Sequence, residues 1–250
     1  MNQDLRDRFA ALHVPGDAVR LYNIWDVGSA VAVAKGGALA LATGSHSLAE
    51  AQGFPDGERI PVNLFLDTIR RIVAAVEIPV TADFEGGFAA DPAHVVEHAR
   101  LLADTGAVGC NFEDQVIGGE GLHPVAEQAR RVAAVVASGL WVNARNDLFL
   151  HKLFAGEDAN DRSLMGEAIE RAHAYAEAGA HSFFVPGVSE LDLIADICAA
   201  SPLPVNVIKP EEHDFAALAG AGVARISWGP RPWIWAMQRL TEEARAIYSA

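Results

Sequence analysis

Val80-Thr81-Ala82-Asp83-Phe84-Glu85-Gly86-Gly87 and Val108-Gly109-Cys110-Asn111-Phe112-Glu113-Asp114 follow one pattern. Each begins small and apolar, as a buried strand does, and ends in carboxylates. Side chains alternate along a strand, so Asp83 and Glu85 point the same way, and so do Asn111 and Glu113. Uncompensated carboxylates at the end of a buried strand are costly. A hard cation such as Mg²⁺, which takes oxygen ligands and keeps several waters, removes that cost; Mn²⁺ accepts the same donors. The two stretches predict buried strands with a metal-dependent enzyme site at their ends.

Outward from them the chain repeats one rhythm, strand then helix. Short apolar runs predict strands over about 21–25, 38–43, 79–84, 107–113, 139–145, 181–186, 204–208 and 223–227. Amphipathic stretches follow each, several opening on proline, as at Asp91-Pro92, and several closing on glycine, as at Gly106, Gly139 and Gly179. Eight such units with no Pro/Gly/Ser-rich linker predict an α/β fold, a (β/α)₈ TIM barrel in one domain over residues 1–250. An open doubly wound sheet is the alternative, but the first strand leads into Trp25-Asp26-Val27-Gly28-Ser29 rather than a dinucleotide-binding Gly-x-Gly-x-x-Gly.

The chain has 250 residues, 51% of them apolar, and a net charge of −14. Nucleic-acid phosphates would be repelled by that charge, so no nucleic-acid partner is expected. A small anionic substrate is not excluded, because a metal or an arginine can reverse the field inside a pocket. The polar start Met1-Asn2-Gln3-Asp4 lacks an apolar signal core and no run is long enough for a membrane span. Two cysteines, Cys110 and Cys198, read as reduced core thiols. A cytoplasmic protein without a membrane partner is the expectation.

In a barrel the active site lies at the C-terminal ends of the strands. Those ends supply Asn23, Trp25 and Asp26; Thr43, Gly44, Ser45 and His46; Asp83 and Glu85; Asn111, Glu113 and Asp114; Asn143, Arg145, Asn146 and Asp147; Pro186; Asn206 and Lys209; and Ser227. The set is oxygen ligands, one arginine and several amide or hydroxyl donors, whereas the opposite ends are mostly Ala, Gly, Val and Pro. Asp83 could bind a cation directly, with Glu85 and Glu113 holding its waters; the alternative is an ionic network with Arg145. Arg145 could clamp a substrate carboxylate in a fork or only neutralise Glu113. Ser45 and its neighbouring amides could hold an oxyanion or simply cap a helix. His46 and His123 are candidate acid/base groups among nine histidines. The run Gln115–His123 is glycine-rich and could form a mobile lid. Lys209, one of three lysines, could form a Schiff base, although Pro210-Glu211-Glu212 suggests a surface helix start.

With these residues assembled, the chain resembles the isocitrate lyase / phosphoenolpyruvate mutase superfamily. The resemblance covers nearly the whole chain. It rests on Asn23-Ile24-Trp25-Asp26-Val27-Gly28-Ser29-Ala30, Ala42-Thr43-Gly44-Ser45 with Gly53-Phe54-Pro55-Asp56-Gly57, Asp83-Phe84-Glu85-Gly86-Gly87-Phe88, Asn111-Phe112-Glu113-Asp114 and Asn143-Ala144-Arg145. It implies a (β/α)₈ barrel and a Mg²⁺ site at Asp83 with Asp56, Glu85 and Glu113 around it. It also implies a small 2-oxo acid substrate held by the metal, the Thr43–His46 turn and Arg145, with Trp25 and Asn206 at neighbouring strand ends. Members make or break a C–C or C–P bond beside an enolate. They are oligomers, so a homodimer or homotetramer is implied, with C-terminal helices swapping between subunits and the tryptophan-rich stretch Trp228–Met237 at the interface.

Three departures bear on the reaction. Where the superfamily's lyases carry a Lys-Lys-Cys-Gly-His-type loop, Gln115–His123 has neither cysteine nor lysine, which argues against isocitrate or methylisocitrate cleavage. Glu85 replaces the usual aspartate and is one methylene longer. Pro186 stands where some members have histidine. The resulting expectation is a Mg²⁺-dependent lyase acting on a 2-oxo or 2-hydroxy acid such as a small dicarboxylate, through oxaloacetate-like decarboxylation or retro-aldol cleavage. Its rivals are a Schiff-base aldolase using Lys209 and a non-catalytic 2-oxo acid binding protein with a degenerate lid.

Overall fold

The computed structural model describes residues 2–249. The chain starts with α1 (Gln3–Ala11) and the strands β1 (His13–Val14), β2 (Asp17–Leu21) and β3 (Asn23–Ile24), followed by α2 (Val27–Lys35). β4 (Leu41–Thr43), α3 (Ser45–Glu50), α4 (Val62–Ala74), β5 (Val80–Asp83), α5 (Pro92–Asp104), β6 (Gly109–Glu113) and α6 (Val125–Val136) come next. β7 (Trp141–Arg145) leads to α7 (Leu148–Phe154), a 3₁₀ turn at Arg162–Leu164 and α8 (Met165–Glu177). The chain ends with β8 (Ser182–Phe184), α9 (Leu191–Ala200), β9 (Val205–Ile208), α10 (Phe215–Gly220), β10 (Arg225–Ser227) and α11 (Arg231–Tyr248).

The parallel sheet runs β2-β10-β9-β8-β7-β6-β5-β4-β3. β2 and β3 are two halves of one stave, separated only by Tyr22. The first half bonds to β10 and the second to β4, so the sheet curls round and meets itself as the (β/α)₈ barrel. Asn23 fastens the seam: its Oδ1 accepts the Trp228 and Gly229 amides at 2.9 Å each, and its Nδ2 donates to Thr43 O at 3.0 Å. The strands sit where the apolar runs predict them, with the first stave reaching back to Asp17.

Helices cover the sheet because their apolar positions recur on one face. In α4 the buried residues are Phe65, Leu66, Ile69 and Ile72, a spacing that holds one helical stripe against the barrel. α5 takes Asp91 as N-cap and Pro92 in its first turn. No helix among the described residues is long and apolar enough to cross a membrane. α11 differs from the rest: only Pro232 is buried, and Ile234, Trp235, Leu240, Ile247 and Tyr248 stay exposed.

The N-terminal segment closes the barrel's other end, which the polar opening of the sequence does not announce. Phe9 of α1 is fully buried and meets Trp141 edge-on at 5.2 Å; His13 lies against the same indole at 4.0 Å, and His181 stacks on it at 5.4 Å. Burial, aided by Arg225, pushes the His13 pKa down to about 3; burial and the nearby Arg6 guanidinium push His181 down to about 4. Both folded-state values lie below the ordinary 6.5, so the unfolded chain takes up protons first and stability is lost as pH falls through that window. The thermal unfolding midpoint should therefore drop between about pH 6.5 and 4, and the slope should flatten in His181→Gln. A pH series of melting curves for both proteins checks this.

Candidate active site

The acidic ends of β5 and β6 open into a cavity of about 480 Å³ at the C-terminal mouth of the barrel. Asp83, Glu85, Asn111, Glu113 and Arg145 line it, together with Gly44, Ser45, His46 and Asp56. Asp83 is held from two sides. Its Oδ2 accepts the Ser45 amide at 3.1 Å, from the first turn of α3, and its Oδ1 accepts Asn111 Nδ2 at 3.2 Å. Gly44, the N-cap of α3, permits that turn, since a Cβ there would lie 2.9 Å from Ser47 Oγ.

The barrel floor fixes Asn111. Its Oδ1 accepts Asn143 Nδ2 and Arg225 Nη2, both at 2.9 Å. With the oxygen committed to two donors, the amide nitrogen must face Asp83. Arg225 is fully buried, with Nε and Nη1 unpartnered, and burial pushes its pKa down to about 9 against the pull of Asp83. A cation thus lies under the acidic site from below. The sequence signal was available, an arginine inside the apolar run Val223-Ala224-Arg225-Ile226, but chain position alone does not show which neighbour it serves.

The loop after β5 and the segment before α4 that bonds to it are strained into place. Glu58, Glu85 and Phe88, with φ of 58°, 49° and 56°, are the non-glycine residues with positive φ among those described. Each such conformation costs about 1–3 kcal/mol. Hydrogen bonds interlock them: the Glu58 amide donates to Glu85 Oε2 at 3.0 Å, and the Phe88 amide to Glu58 Oε1 at 2.6 Å. Buried Arg131 of α6 ties the same loop by donating to Gly86 O at 2.7 Å and Ala90 O at 3.1 Å. The result aims Glu85 into the cavity. Burial, with Asp56, Asp83 and Glu58 nearby, pushes its pKa up to about 9. Burial also raises Glu113 well above the usual carboxylate range despite Arg145, and raises Asp56 with help from Asp83.

Arg145 is the only lysine or arginine among the described lining residues. Its Nη1 lies 2.7 Å from Glu113 Oε2, which makes no directed hydrogen bond, so this contact is an ion pair. Its Nε and Nη2 fork onto Asp147 at 2.6 and 2.8 Å. Burial opposes the charge, but Asp147 and Glu113 outweigh it and raise the Arg145 pKa further. Donors on Nη1 and Nη2 are left for a substrate carboxylate.

Asp114, read from sequence as one more strand-end acid, faces away and organises this support. Its carboxylate accepts Asn146 Nδ2 at 2.7 Å, the Asp147 amide at 2.9 Å, the Tyr175 hydroxyl at 2.8 Å and Arg171 Nη1 at 3.3 Å. It is fully buried.

Among the described residues, no three His, Cys, Asp or Glu side chains gather into a cation cage. The donor set still fits a hard cation. Asp56, Asp83, Glu85 and Glu113 converge on one space, Arg145 is already shared with Asp147, and Glu113 Oε2 has no hydrogen bond. Mg²⁺ keeps several waters and needs only one or two carboxylates. Asp83 would hold it, with Asp56, Glu85 and Glu113 reached through water.

Several predicted residues are placed elsewhere. Trp25 turns out to meet Trp233 of α11 at 5.3 Å. Thr43 is buried with its hydroxyl accepting the Asp83 amide at 2.9 Å. Asn206 lies in the floor, bonded to Asn143 and Ser227. His123 does not line the cavity: its amide donates to Asp114 O at 2.8 Å, and its ring faces Glu127 of α6 at 3.3 Å. His46 does line it, with Nδ1 4.0 Å from Asp56 and Nε2 3.4 Å from Glu50. Lys209 Nζ is spent on the carbonyls of Pro210 and His213 and is not a lining group. The Gln115–His123 loop forms a small hairpin through the Gln115–Leu122 bridge, and Gln115 and Ile117 touch the cavity.

Comparison with known proteins agrees with this architecture. The family model for phosphoenolpyruvate phosphomutase matches residues 9–248. A Burkholderia cenocepacia J2315 structure, provisionally described as a phosphonomutase, superposes with a TM-score of 0.91 at 42% identity, covering 97% of this chain and 99% of the other. An oxaloacetate decarboxylase of Pseudomonas savastanoi pv. phaseolicola is 27% identical over 89% of this chain and 77% of its own length. A phosphonopyruvate hydrolase complex with oxalate and Mg²⁺ superposes with a TM-score of 0.84 at 21% identity, covering 98% and 87%.

Removing Asp114 would leave a buried amide, phenol and backbone N–H without their acceptor and would take one of two carboxylates from the buried Arg171 guanidinium, which keeps Glu167. Asp114→Ala should therefore lower unfolding free energy by about 3–5 kcal/mol, read from urea denaturation.

Proposed function

Because the chain belongs to the phosphoenolpyruvate phosphomutase family, whose relatives include lyases and mutases, we propose that it is a Mg²⁺-dependent lyase. It would cleave a C–C or C–P bond of a small 2-oxo or 2-hydroxy acid so that the carbon left behind becomes part of an enolate. The observation that carries the reading is the convergence of four carboxylates and one arginine on a single cavity. A divalent cation, Mg²⁺ or Mn²⁺, would supply the positive charge that lowers the cost of an enolate.

The protein's own groups have separate tasks. Asp83 anchors the cation, braced by the Ser45 amide and by Asn111. Arg145, locked by Asp147, presents its remaining N–H donors to the substrate carboxylate. The Gly44–His46 turn lines the same side, and His46, the histidine among the described lining residues, would move a proton there. The buried hub at Asp114 keeps Arg145 from swinging out, so the geometry is fixed before substrate arrives.

The Schiff-base reading loses its support, since Lys209 is committed to carbonyls outside the cavity. The exposed apolar side chains of α11 support assembly into a homodimer or homotetramer, and two free thiols suit the cytoplasm.

The test is turnover of a 2-oxo and 2-hydroxy acid panel by purified protein. Activity should vanish with EDTA, return with Mg²⁺ or Mn²⁺, and fall by about 10²–10³-fold in Asp83→Ala. An undiminished rate in that variant would sink the reading, and Mg²⁺-dependent oxalate binding without turnover would favour a binding protein.

A further inference from the structure

The buried arginines of this chain differ in what they hold. Arg171 pairs with Asp114 and Glu167, and Arg131 ties the carbonyls of Gly86, Ala89 and Ala90. Arg225 does neither. It enters from β10, in register with Val19 of β2 and Asn206 of β9, and is fully buried. Among the described residues its guanidinium makes one hydrogen bond, from Nη2 to Asn111 Oδ1 at 2.9 Å, while Nε and Nη1 have no partner. A buried cation held by one neutral amide costs stability.

Its other neighbours do not compensate the charge. His13 is neutral, since burial and then Arg225 itself push its pKa down to about 3. Burial drives the Cys110 thiol far above its ordinary range, so it supplies no thiolate. Burial lowers the Arg225 pKa to about 9, and Asp83 is the carboxylate that opposes this. The path to Asp83 runs through Asn111, which takes Arg225 on its Oδ1 and gives its Nδ2 to Asp83 Oδ1 at 3.2 Å. Asn143 also donates to that Asn111 oxygen at 2.9 Å, so the amide keeps a partner without the arginine. What Arg225 alone adds is a unit of positive charge beneath Asp83.

That charge acts in opposite senses on the two ligands of the proposed reaction. It repels a divalent cation at Asp83 and attracts a substrate anion, and full burial leaves both effects weakly screened. We propose that Arg225 is a positioning charge that makes the site take cation and substrate anion as a pair, by weakening its hold on the bare cation and strengthening its hold on the anion. This rests on the proposed cation site at Asp83. A divalent cation and a dianion together carry no net charge, so the pair is nearly indifferent to Arg225. The bare cation alone is penalised. A residue that costs the fold stability thus has a task at the site.

Two dissociation constants on the full chain test it, compared between wild type, Arg225→Met and Arg225→Gln. One is for Mn²⁺ alone, from the electron paramagnetic resonance signal of the free ion. The other is for oxalate on the Mn²⁺-loaded protein, from calorimetry. Met removes the charge and the bond to Asn111; Gln removes the charge but supplies an N–H donor. In both variants Mn²⁺ should bind about ten- to a hundredfold more tightly and oxalate more weakly by a similar factor, so that the product of the two constants stays near the wild-type value. Opposite shifts are the signature of a charge; loss of a merely structural residue would weaken both ligands together. Unchanged constants, or both weakened, overturn the proposal. If Arg225→Met fails to fold, the same two constants in Arg225→Gln decide. If the wild type binds neither probe, the cation-site reading falls as well; if it binds both and the variants do not shift, the proposal alone falls.

Discussion

Everything at the mouth of this barrel follows from burying more carboxylates than cations. Asp83, Glu85 and Glu113 end two adjacent strands and are almost fully buried. Burial disfavours their charge, and each pushes on the others, as the elevated Glu85 and Glu113 pKa values register. The surrounding structure is a set of answers to that repulsion. Arg145 comes from the next strand, the Ser45 amide from a helix start, and Arg225 from beneath. None neutralises the set completely, and the residual charge is what makes a bound cation chemically sensible.

The supports behind these groups brace the site from outside the cavity. Asp147 forks Arg145, Asp114 fixes Asp147 through its backbone, and Tyr175 and Arg171 fix Asp114. On the other side, Glu85 and Phe88 take left-handed backbone conformations in the loop after β5, and left-handed Glu58, before α4, bonds to both. Such strain survives only where neighbours over-determine the loop, here the Arg131 guanidinium and two carboxylate–amide bonds.

The barrel was legible because eight apolar runs alternate with amphipathic stretches, several opening on proline and several closing on glycine, and local pattern is what strands and helices register. The acids were legible because a carboxylate ending an apolar strand violates a simple rule. What escaped reading depends on who faces whom. Thr43 and Asn206 belong to strand ends, but their side chains are consumed by the floor. His123 lies one hairpin beyond the acids, and its amide bond to Asp114 O turns its ring toward α6. α7 is only seven residues long and too short to show a period. α1 was hidden by its charges, because Phe9 alone among its residues is buried. Arg225 and Asp114 gave their residue types in plain view, while their partners lie tens of residues away.

The split first stave has a consequence for how the protein is made. Asn23, near the start, accepts hydrogen bonds from Trp228, 205 residues later, and β10 must pair with β2 before the sheet has no open edge. A chain still on the ribosome can stack β3 through β9 in order, yet it carries two raw strand edges until its last segment emerges. The same final strand delivers Arg225, the charge beneath Asp83. Truncated chains would thus lack closure and the floor of the site together, so premature termination would yield fragments with open strand edges and no assembled site.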